Sequence, residues 1–539
     1  MAVPTDPGNG NGWGFYGRRE EFSRLCRLLS VKHYRTLAVL GGRGVGKTEL
    51  IRRACDAVGE LKPAVYVEVP VPASESHEDR MWAVGRVCRD LARQAEELGL
   101  GDALSEAERF PFDLLYFDRA FKGLLGAGAV VVLDEYQNGD KIGLTGSVKP
   151  VIDSFRYIGA PATAGKTVLA GSHQQEMIRI LEDQRLPLYG RVDHYMRLGP
   201  LPAPAVLRMA SEQGWLSRPK RFLTAYTVFG GNPRLWRRMS EENAEEPLPE
   251  PPDGDDDAWR MGFLEREISR MRGDPRERFD FRSLVTLDSD ARKAAELVAR
   301  HFRGVREEKV RGLFTGKNRE DAEGRCISAL NTLKWHLHMV EQTPSAKPYG
   351  PSKIRMKDTQ TLFQLRVASL WPEAGVGGSA AGKAMGAMAN AEGYALERLA
   401  GEWLVGFRTF SEMEIGMVRK GPDGKTVETD VVAVTHDKDG VVQELALCSC
   451  KRDPGRHDLK RTAGDFRRFV EYSEAHGMPV PVRPRWLLVS PERPAASGDF
   501  RAYGLKDMAR KLKLEIRPWP GLPAPGPEIE FDDGPSPGL

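Results

Sequence analysis

The segment LAVLGGRGVGKTEL, residues 37–50, sets a glycine-rich turn between an apolar run and the start of a helical pattern. Its GxxxxGKT spacing fills every fixed position of a P-loop, in the strand–loop–helix context that this motif requires. The glycines allow backbone N–H groups to turn toward phosphate oxygens at the positive end of the following helix. We expect Lys47 to neutralise the β- and γ-phosphates and Thr48 to hold Mg²⁺. The predicted nucleotide-binding residues of this loop are Gly41, Gly42, Gly44, Val45, Gly46, Lys47, Thr48 and Glu49.

A second apolar run, AVVVLDEYQ (129–137), ends in an acidic pair. An acidic pair after a hydrophobic strand is common by itself, and its position downstream of a P-loop gives it meaning. In P-loop NTPases an aspartate here orients Mg²⁺, and a following glutamate polarises the attacking water. The two segments together predict ATP and Mg²⁺ as cofactors, with Asp134 as a metal ligand and Glu135 as the catalytic base.

Length and composition indicate a globular protein of several domains. The chain has 539 residues, of which 41% are hydrophobic and 29% charged, so roughly three or four domains are expected. No run of about 18 apolar residues occurs, which predicts no membrane span. The N-terminus lacks the pattern of a secretion signal, and the six cysteines lack CxxC spacing. These features favour a protein of the reducing cytoplasm that has no zinc site. Because the net charge is only +3, a surface that binds nucleic acid would have to be a local basic patch.

The pattern along the chain predicts an α/β protein with a parallel-sheet P-loop domain, a helical middle and a second α/β domain. The predicted strands of the first domain are 36–40, 64–69, 129–134 and 167–171. The predicted divisions are a flexible N-terminus 1–13, the ATPase domain 14–242, an acidic proline-rich linker 243–257, a helical lid and winged helix 258–372, a small-residue linker 373–390, the C-terminal α/β domain 391–518 and a disordered tail 519–539.

Several motifs around the P-loop follow one another in a fixed order. They are FYGRREEFSRL (15–25), the acidic pair, LAGSHQQEM (169–177), LPLYGR (186–191) and FGGNPRLW (229–236). This set resembles the AAA+/STAND-type ATPases first grouped as predominantly archaeal ATPases.

The resemblance implies further nucleotide-site residues. It implies that Ser172 senses the γ-phosphate and that Arg191 contacts phosphate, in cis or from a neighbouring subunit. It also implies that Pro233 lies near the adenine and that Arg234 acts as a second sensor. A helix-capping turn is the alternative interpretation of GGNP, and an ordinary surface arginine is the alternative for Arg191.

The middle of the chain has the pattern of a helix, a turn, an amphipathic helix and a basic hairpin. EEKVRGLFTGKN (307–318) precedes AEGRCISALNTLKWHLHMVEQ (322–342), in which Ile327, Leu330, Leu333 and Leu337 are predicted to share one helix face. TPSAKPYGPSKIRMK (343–357) then carries four basic residues and no acid. This order predicts a winged helix that contacts DNA. The alternative is a regulatory lid that packs on the ATPase.

The last domain has the layout of a restriction-endonuclease-like fold. A helix carries Glu397, the strand TVETDVVAVT (426–435) carries Glu428 and Asp430, and VVQELALCSCK (441–451) ends in Lys451. Such domains hold Mg²⁺ with carboxylates and use the lysine to position the attacking water. The resemblance implies such a C-terminal domain, of the DUF234-like kind, with Glu397, Asp430 and Lys451 as catalytic residues.

Ser449 departs from this layout, because it stands where a carboxylate is expected two residues before Lys451. A neutral hydroxyl is a poor ligand for a hard divalent cation. One hypothesis is a migrated metal site in which Glu428 joins Asp430 on the same strand face. The other is a nuclease-like fold without cleavage activity, used for binding or assembly.

The combined prediction is an ATP-switched, DNA-associated protein whose nucleotide state controls a winged helix and a nuclease-like domain. The alternative is a non-cleaving signalling or assembly switch with an inactive C-terminal module. DNA, a second copy of the chain meeting through the ATPase domain, and another protein are the predicted partners. A role in defence against mobile DNA is compatible with this architecture by family analogy.

Overall fold

The structure, a computed structural model, describes residues 15–31, 35–59, 62–156, 165–245, 255–273, 289–302, 304–314, 319–336, 339–342, 353–371, 379–406, 410–438, 441–475, 480–481 and 484–515. The predicted flexible N-terminus 1–13 and disordered tail 519–539 lie outside the described residues, as does Leu337.

The first domain is built on a parallel five-stranded sheet. Its strands are β1 (Thr36–Gly41), β2 (Ala64–Glu68), β3 (Val130–Asp134), β4 (Lys166–Gly171) and β5 (His194–Leu198), in the spatial order β2-β3-β4-β1-β5. Every neighbouring pair is parallel, which confirms the predicted α/β class. The sequence did not predict β5, because HYMRL is a partly exposed edge strand with three polar residues among five. The order puts β4 between the strand of the P-loop and the strand of the acidic pair.

Helices cover both faces of this sheet. They are α1 (Arg19–Ser30), α2 (Lys47–Val58), α3 (His77–Glu97), α4 (Leu114–Gly126), α5 (Leu144–Arg156) and α6 (Gln174–Glu182). Residues 36–41 are all buried, as expected for a central parallel strand with helices on both sides. Leu37 and Val39 pack with α1 and α2, whereas Ala38 and Leu40 face the cluster that contains α3 to α6.

Four further helices, which we call the lid, pack beside the sheet, and the first three of them precede the lid that the sequence predicts from residue 258. They are α7 (Ala203–Glu212), α8 (Pro219–Phe229), α9 (Pro233–Glu245) and α10 (Asp256–Gly273). Stacked and edge-on aromatic rings join them, with Phe229 against Trp236 and against Phe263. The predicted linker 243–257 is shorter than expected, since its first three residues continue α9 and its last two begin α10. Residues 246–254 lie outside the described part of the chain.

The middle segment contains α11 (Ser289–Arg300), α12 (Glu307–Arg311), α13 (Arg319–Asn331), β6 (Val340–Gln342), β7 (Ile354–Met356) and α14 (Thr359–Arg366). β6 and β7 pair antiparallel, and Val305 forms an isolated bridge to Ile354. This order agrees with the predicted helix, turn, helix and hairpin. The predicted helix face was wrong at Ile327, which is 50% exposed while Leu330 and Leu333 are buried. The buried face of α13 runs through Cys326 and Ala329 instead, and a π-helical turn at 332–336 changes the period.

The C-terminal domain is a second, mixed five-stranded sheet. Its elements are α15 (Ser379–Gly406), β8 (Glu412–Lys420), β9 (Thr426–His436), β10 (Val442–Cys450), α16 (Leu459–Ala475), β11 (Arg485–Val489), β12 (Phe500–Tyr503) and α17 (Leu505–Glu515). The spatial order is β12-β11-β10-β9-β8. β8, β9 and β10 form an antiparallel meander, and β11 and β12 continue it in parallel.

The small-residue stretch predicted as a linker at 373–390 is instead helical from Ser379 onward. Its small side chains allow close packing, and Ala384, Ala387 and Met388 are buried in a cluster that also contains Trp236 of the lid and Leu487 of β11. One apolar core therefore joins the lid, α15 and the second sheet. None of the described helices combines the length and apolarity needed to cross a bilayer.

Candidate functional site

The P-loop lies at the carboxyl end of β1 and has the backbone conformation of a phosphate cradle. Gly44 and Gly46 have φ values of +77° and +95°, a region that favours glycine. Gly46 is the N-cap of α2, so the positive end of that helix faces the loop. A β-carbon at Gly41 would lie 2.5 Å from the carbonyl oxygen of Leu198, so glycine is also required where β1 meets β5.

Lys47 is buried inside this loop. Its ammonium donates hydrogen bonds to the carbonyl oxygens of Gly41 (2.9 Å) and Gly42 (3.1 Å). Burial lowers the pKa of Lys47, and the nearby carboxylates of Glu135 and Asp134 act in the opposite direction. The cation is thus held among loop carbonyls and acidic groups, where a polyphosphate would be its natural counter-charge.

Thr48 and Asp134, the two predicted metal ligands, are in direct contact. Thr48 Oγ1 donates to Asp134 Oδ2 at 2.7 Å, and the Tyr66 hydroxyl donates to the same carboxylate oxygen. A hydroxyl and a carboxylate beside a phosphate cradle are a donor set that suits Mg²⁺. The residues present therefore fit a Mg²⁺-nucleotide. Sequence reasoning missed Tyr66, because nothing in AVYVEV shows that β2 adjoins β3.

Glu135 has a strained backbone and a well-defined side chain. It is the only described non-glycine residue with a positive φ (+52°). Ser172 Oγ donates to Glu135 Oε2 at 2.6 Å, and Gln137 Nε2 donates to the same oxygen. Burial raises the pKa of Glu135, but the hydrogen bonds from Ser172 and Gln137 and the Lys47 charge bring it below the usual value. The carboxylate is therefore held in its ionised form.

The GGNPR motif of the lid lies directly against the P-loop. Asn232 Nδ2 donates to the carbonyl oxygen of Arg43 at 3.2 Å, and the backbone N–H of Arg234 donates to Gly44 O at 3.4 Å. Pro233 lies 3.9 Å from the position of a β-carbon at Gly46. Asn232 also caps α9, since its Oδ1 accepts from the Arg234 N–H at 3.2 Å. The capping turn and the nucleotide-site motif are thus the same structure.

Two other residues complete the description of the loop. Arg18 was not predicted, although it lies within FYGRREEFSRL; its buried guanidinium donates to Val45 O at 3.1 Å and to Gly199 O. Glu49, in the first turn of α2, pairs with Arg53 at 2.6 Å.

Arg191 lies in a different environment from the P-loop residues. Its Nε pairs with Asp153 of α5 at 2.9 Å, and its Nη1 donates to Tyr189 O at 2.8 Å. Among the described residues, no hydrogen bond or ion pair links it to residues 41–48.

The C-terminal candidate site brings Asp430, in the middle of β9, together with Lys451, the residue that follows β10. The Lys451 ammonium lies 3.2 Å from Asp430 Oδ2, and the backbone N–H of Cys450 donates to the same oxygen at 2.8 Å. Ser449 Oγ approaches that oxygen at 3.5 Å. Asp430 is therefore satisfied by the protein's own donors.

The other two predicted carboxylates do not complete a metal site with Asp430. Glu428 is exposed, opposite Val418 in the β8–β9 pair, while Glu397 is buried in α15. Within the part of the chain that the structure describes, no group of three or more His, Cys, Asp or Glu side chains has an arrangement that could hold a metal ion. The hypothesis of a migrated site at Glu397, Glu428 and Asp430 is not supported by this arrangement.

Arg452, the residue after Lys451, joins an ionic cluster that surrounds the buried Glu392 and is shared by three parts of the protein. Its Nε lies 3.0 Å from Glu392 of α15, and its Nη2 lies 2.8 Å from Asp257 of α10. Glu392 is fully buried, lies 3.1 Å from Arg260 Nε and accepts a hydrogen bond from Thr224 of α8 at 2.6 Å. The lid, α15 and the end of β10 are thus linked by charge as well as by the apolar core.

The strand order, the P-loop and the acidic pair define a P-loop NTPase fold. No protein-family model matches the sequence, and no curated protein matches it. A Walker-type ATPase of Pyrococcus abyssi is similar in structure at 16% identity, covering 67% of this chain and 98% of its own, with a TM-score of 0.44.

Two further solved structures are also similar to this chain. The ORC2 protein of Aeropyrum pernix, with ADPNP and ADP, is 14% identical over 65% of this chain and 92% of its own, with a TM-score of 0.37. The AMPPCP-bound DnaA of Aquifex aeolicus is 12% identical over 60% and 90%, with a TM-score of 0.27. Identities and scores this low assign no residue role and no activity to this chain.

Proposed function

We propose that this protein binds and hydrolyses ATP with Mg²⁺, and that its nucleotide state controls the two segments after the lid. The observation that carries the proposal is the position of Asn232. Its amide binds the P-loop carbonyl of Arg43, and it also approaches Gln360 Oε1 of α14 at 3.5 Å. Phosphate binding changes the conformation of the P-loop and with it the position of the Asn232 amide. Because this amide contacts both Arg43 and Gln360, the lid and α14 change position together.

The proposed roles of the residues are supported by the geometry of the P-loop site. Lys47 and the loop N–H groups bind phosphate, Thr48 and Asp134 hold Mg²⁺, and Glu135 accepts a proton from the attacking water. Bound Mg²⁺ would neutralise charge on the β- and γ-phosphates. Ser172 orients Glu135, while Pro233 and Arg234 place the lid beside the nucleotide. Arg191 is paired with Asp153 in this structure. We propose that its guanidinium leaves Asp153 and contacts phosphate when a second copy of the chain binds.

The middle segment is proposed to be a winged helix, on the basis of α11 to α13 and the β6–β7 hairpin. DNA is the proposed partner of this part of the chain. The start of α13 carries Glu320 and Asp321, and the adjacent exposed face carries Ile327. Acidic and apolar groups do not favour phosphate, so we place the DNA contact outside α13.

For the C-terminal domain, the observations favour the non-cleaving alternative. Asp430 is already paired with Lys451, and Ser449 supplies no second carboxylate. We propose a nuclease-like module that binds or assembles rather than cuts. Cleavage remains the second candidate, because Asp430 and Lys451 are in contact as the predicted catalytic pair requires.

ATP turnover and DNA binding test the first part. Lys47→Ala is expected to lower ATP hydrolysis by roughly a hundred-fold or more, because a buried cation at the transferring phosphate is lost. Lys122→Ala, an exposed lysine of α4, is the matched control and keeps wild-type turnover. DNA affinity is then compared between ADP and a non-hydrolysable ATP analogue. Normal hydrolysis by Lys47→Ala would refute the P-loop assignment, and equal DNA affinity in both nucleotides would refute the switch.

Plasmid and linear DNA with Mg²⁺ test the second part. Wild type and Asp430→Ala are expected to leave both substrates intact, with and without ATP. Cleavage by wild type that Asp430→Ala abolishes would establish the nuclease alternative instead.

A further inference from the structure

A cavity of about 600 Å³ lies between the lid, the start of α14, the end of α15 and the start of β8. Its apolar wall comes from Pro200, Leu201, Pro202, Val405 and Met413. This volume is typical of small-molecule sites, which combine an apolar lining with a few polar groups. None of residues 41–48 lines it, so it is distinct from the nucleotide site.

The acidic groups at the buried end of this cavity are already engaged. Asp358 caps α14: its two oxygens accept from the Thr361 N–H (2.7 Å) and hydroxyl (2.8 Å). Glu402 accepts from Arg398 Nε at 2.6 Å and from the Ala203 N–H at 2.7 Å. Each of the four carboxylate oxygens accepts one of these bonds, so the protein itself fixes both side chains.

Two side-chain donor groups on the wall make no hydrogen bond within the described residues, although the charge of Lys357 lowers the pKa of Glu341 and opposes the raised pKa of Asp358. The Tyr226 side chain is 3% exposed, yet its hydroxyl makes no hydrogen bond to the described residues. The Lys357 ammonium likewise has no hydrogen bond or ion pair within the described chain, and Lys357 lines the same cavity. The Tyr226 hydroxyl lines the cavity, where it can donate a hydrogen bond to an acceptor on a ligand. Lys357 has only donors, so its complement is an anionic oxygen.

We infer that this cavity binds a small molecule that carries a phosphate or carboxylate group on an apolar, ring-sized body. The anionic group lies at Lys357 and Tyr226, and the body lies on the proline-rich wall. This site does not depend on ATP hydrolysis.

The cavity shares a wall with the loop that touches the P-loop. The Leu201 N–H donates to Gly231 O at 2.7 Å, and a β-carbon at Gly231 would lie 2.0 Å from Leu201 O. Gly231 immediately precedes Asn232, whose amide binds Arg43 O. A ligand in the cavity therefore lies beside Gly231, and the next residue, Asn232, makes the contact that joins the lid to the P-loop.

The fluorescent probe 8-anilinonaphthalene-1-sulfonate, an anion on planar rings, tests the site on the full-length chain saturated with ADP. Wild type is expected to show one saturable component. Lys357→Gln should weaken it about five-fold, and Val405→Trp should remove it by filling the cavity. The matched control is Val418→Trp, an exposed valine of β8 that does not line the cavity, and it should bind as wild type does.

Phenyl phosphate and benzoate then distinguish the two sources of negative charge by displacement of the probe. Displacement by either supports the site and identifies the preferred anionic group. Displacement by neither overturns the inference, as does probe binding that Lys357→Gln and Val405→Trp both leave unchanged. Far-UV circular dichroism confirms that each variant is folded, and the ADP-saturated state separates this result from any failure of the ATPase proposal.

Discussion

Ser172 Oγ donates a hydrogen bond of 2.6 Å to Glu135 Oε2, which joins the ends of two adjacent strands, β4 and β3. Glu135 reaches this bond from a left-handed backbone conformation, with φ of +52°. Such a conformation costs of order 1–3 kcal/mol for a residue that is not glycine. The surrounding structure maintains this backbone conformation, which directs the Glu135 carboxylate toward the space beside the P-loop.

Ser172→Ala is therefore expected to lower kcat for ATP hydrolysis roughly ten-fold. This loss is smaller than the whole rate enhancement by a general base, because Glu135 stays in place but is less well oriented. The Ser172 hydrogen bond lowers the pKa of Glu135. Its removal raises that pKa, so less of the base is ionised at acidic pH and the acidic limb of the kcat–pH profile moves to higher pH. Ser154→Ala, a serine in α5 with no contact to Glu135, controls for loss of a hydroxyl. An unmoved acidic limb would refute the positioning role.

Asn232→Ser separates the two functions of one side chain. Serine keeps an N-cap acceptor for α9 but lacks the amide that donates to Arg43 O. ATP affinity is expected to fall about five-fold, the value of one net hydrogen bond, while thermal stability is nearly unchanged. Isothermal titration calorimetry measures the first and differential scanning calorimetry the second. A large loss of stability with wild-type ATP affinity would make this contact merely structural.

Glu392→Ala should strongly destabilise the protein. Arg260 and Arg452 would lose their shared carboxylate in a buried position, and breaking one side of such a cluster costs about 3–5 kcal/mol. The thermal midpoint is expected to fall well below that of Glu296→Ala, which removes an exposed carboxylate from α11. Limited proteolysis should then release the C-terminal domain faster. Equal midpoints in the two variants would show that the cluster contributes nothing to domain contact.

Ser449→Glu is predicted to create a metal site that the wild type lacks. Ser449 Oγ lies 3.5 Å from Asp430 Oδ2, so a carboxylate here adds a second oxygen ligand for a hard cation. Without Mg²⁺ the like charges destabilise the variant, and Mg²⁺ should restore its thermal midpoint by several degrees. Ser449→Gln is the isosteric control and should not respond. A Mg²⁺ response of the same size in wild type would mean that a metal site already exists.

The sequence predicted those features that depend on neighbouring residues. The P-loop, the acidic pair and GGNPR are short segments with fixed internal spacing, so their chemistry could be recognised locally. Contacts between distant segments could not be recognised this way. Asn232 meets Arg43 only because the lid folds back over β1, and Tyr66 meets Asp134 only because β2 and β3 are neighbours.

Predictions from composition alone were less successful. Glycine and alanine in 375–390 suggested a linker, whereas in α15 they allow the helix to pack closely in a shared core. Tertiary burial decides between these outcomes, and composition does not encode it.

Lys451 and Arg452 are consecutive, yet one pairs with Asp430 inside the second sheet and the other with Asp257 of the lid. Only the peptide bond between them separates a contact inside the second sheet from a contact with the lid. Arg452 also contacts Glu392 of α15, so the segment that follows β10 is held by the lid, by α15 and by its own sheet. Any separation of the lid from the second sheet therefore breaks an ion pair one residue away from the contact of Lys451 with Asp430.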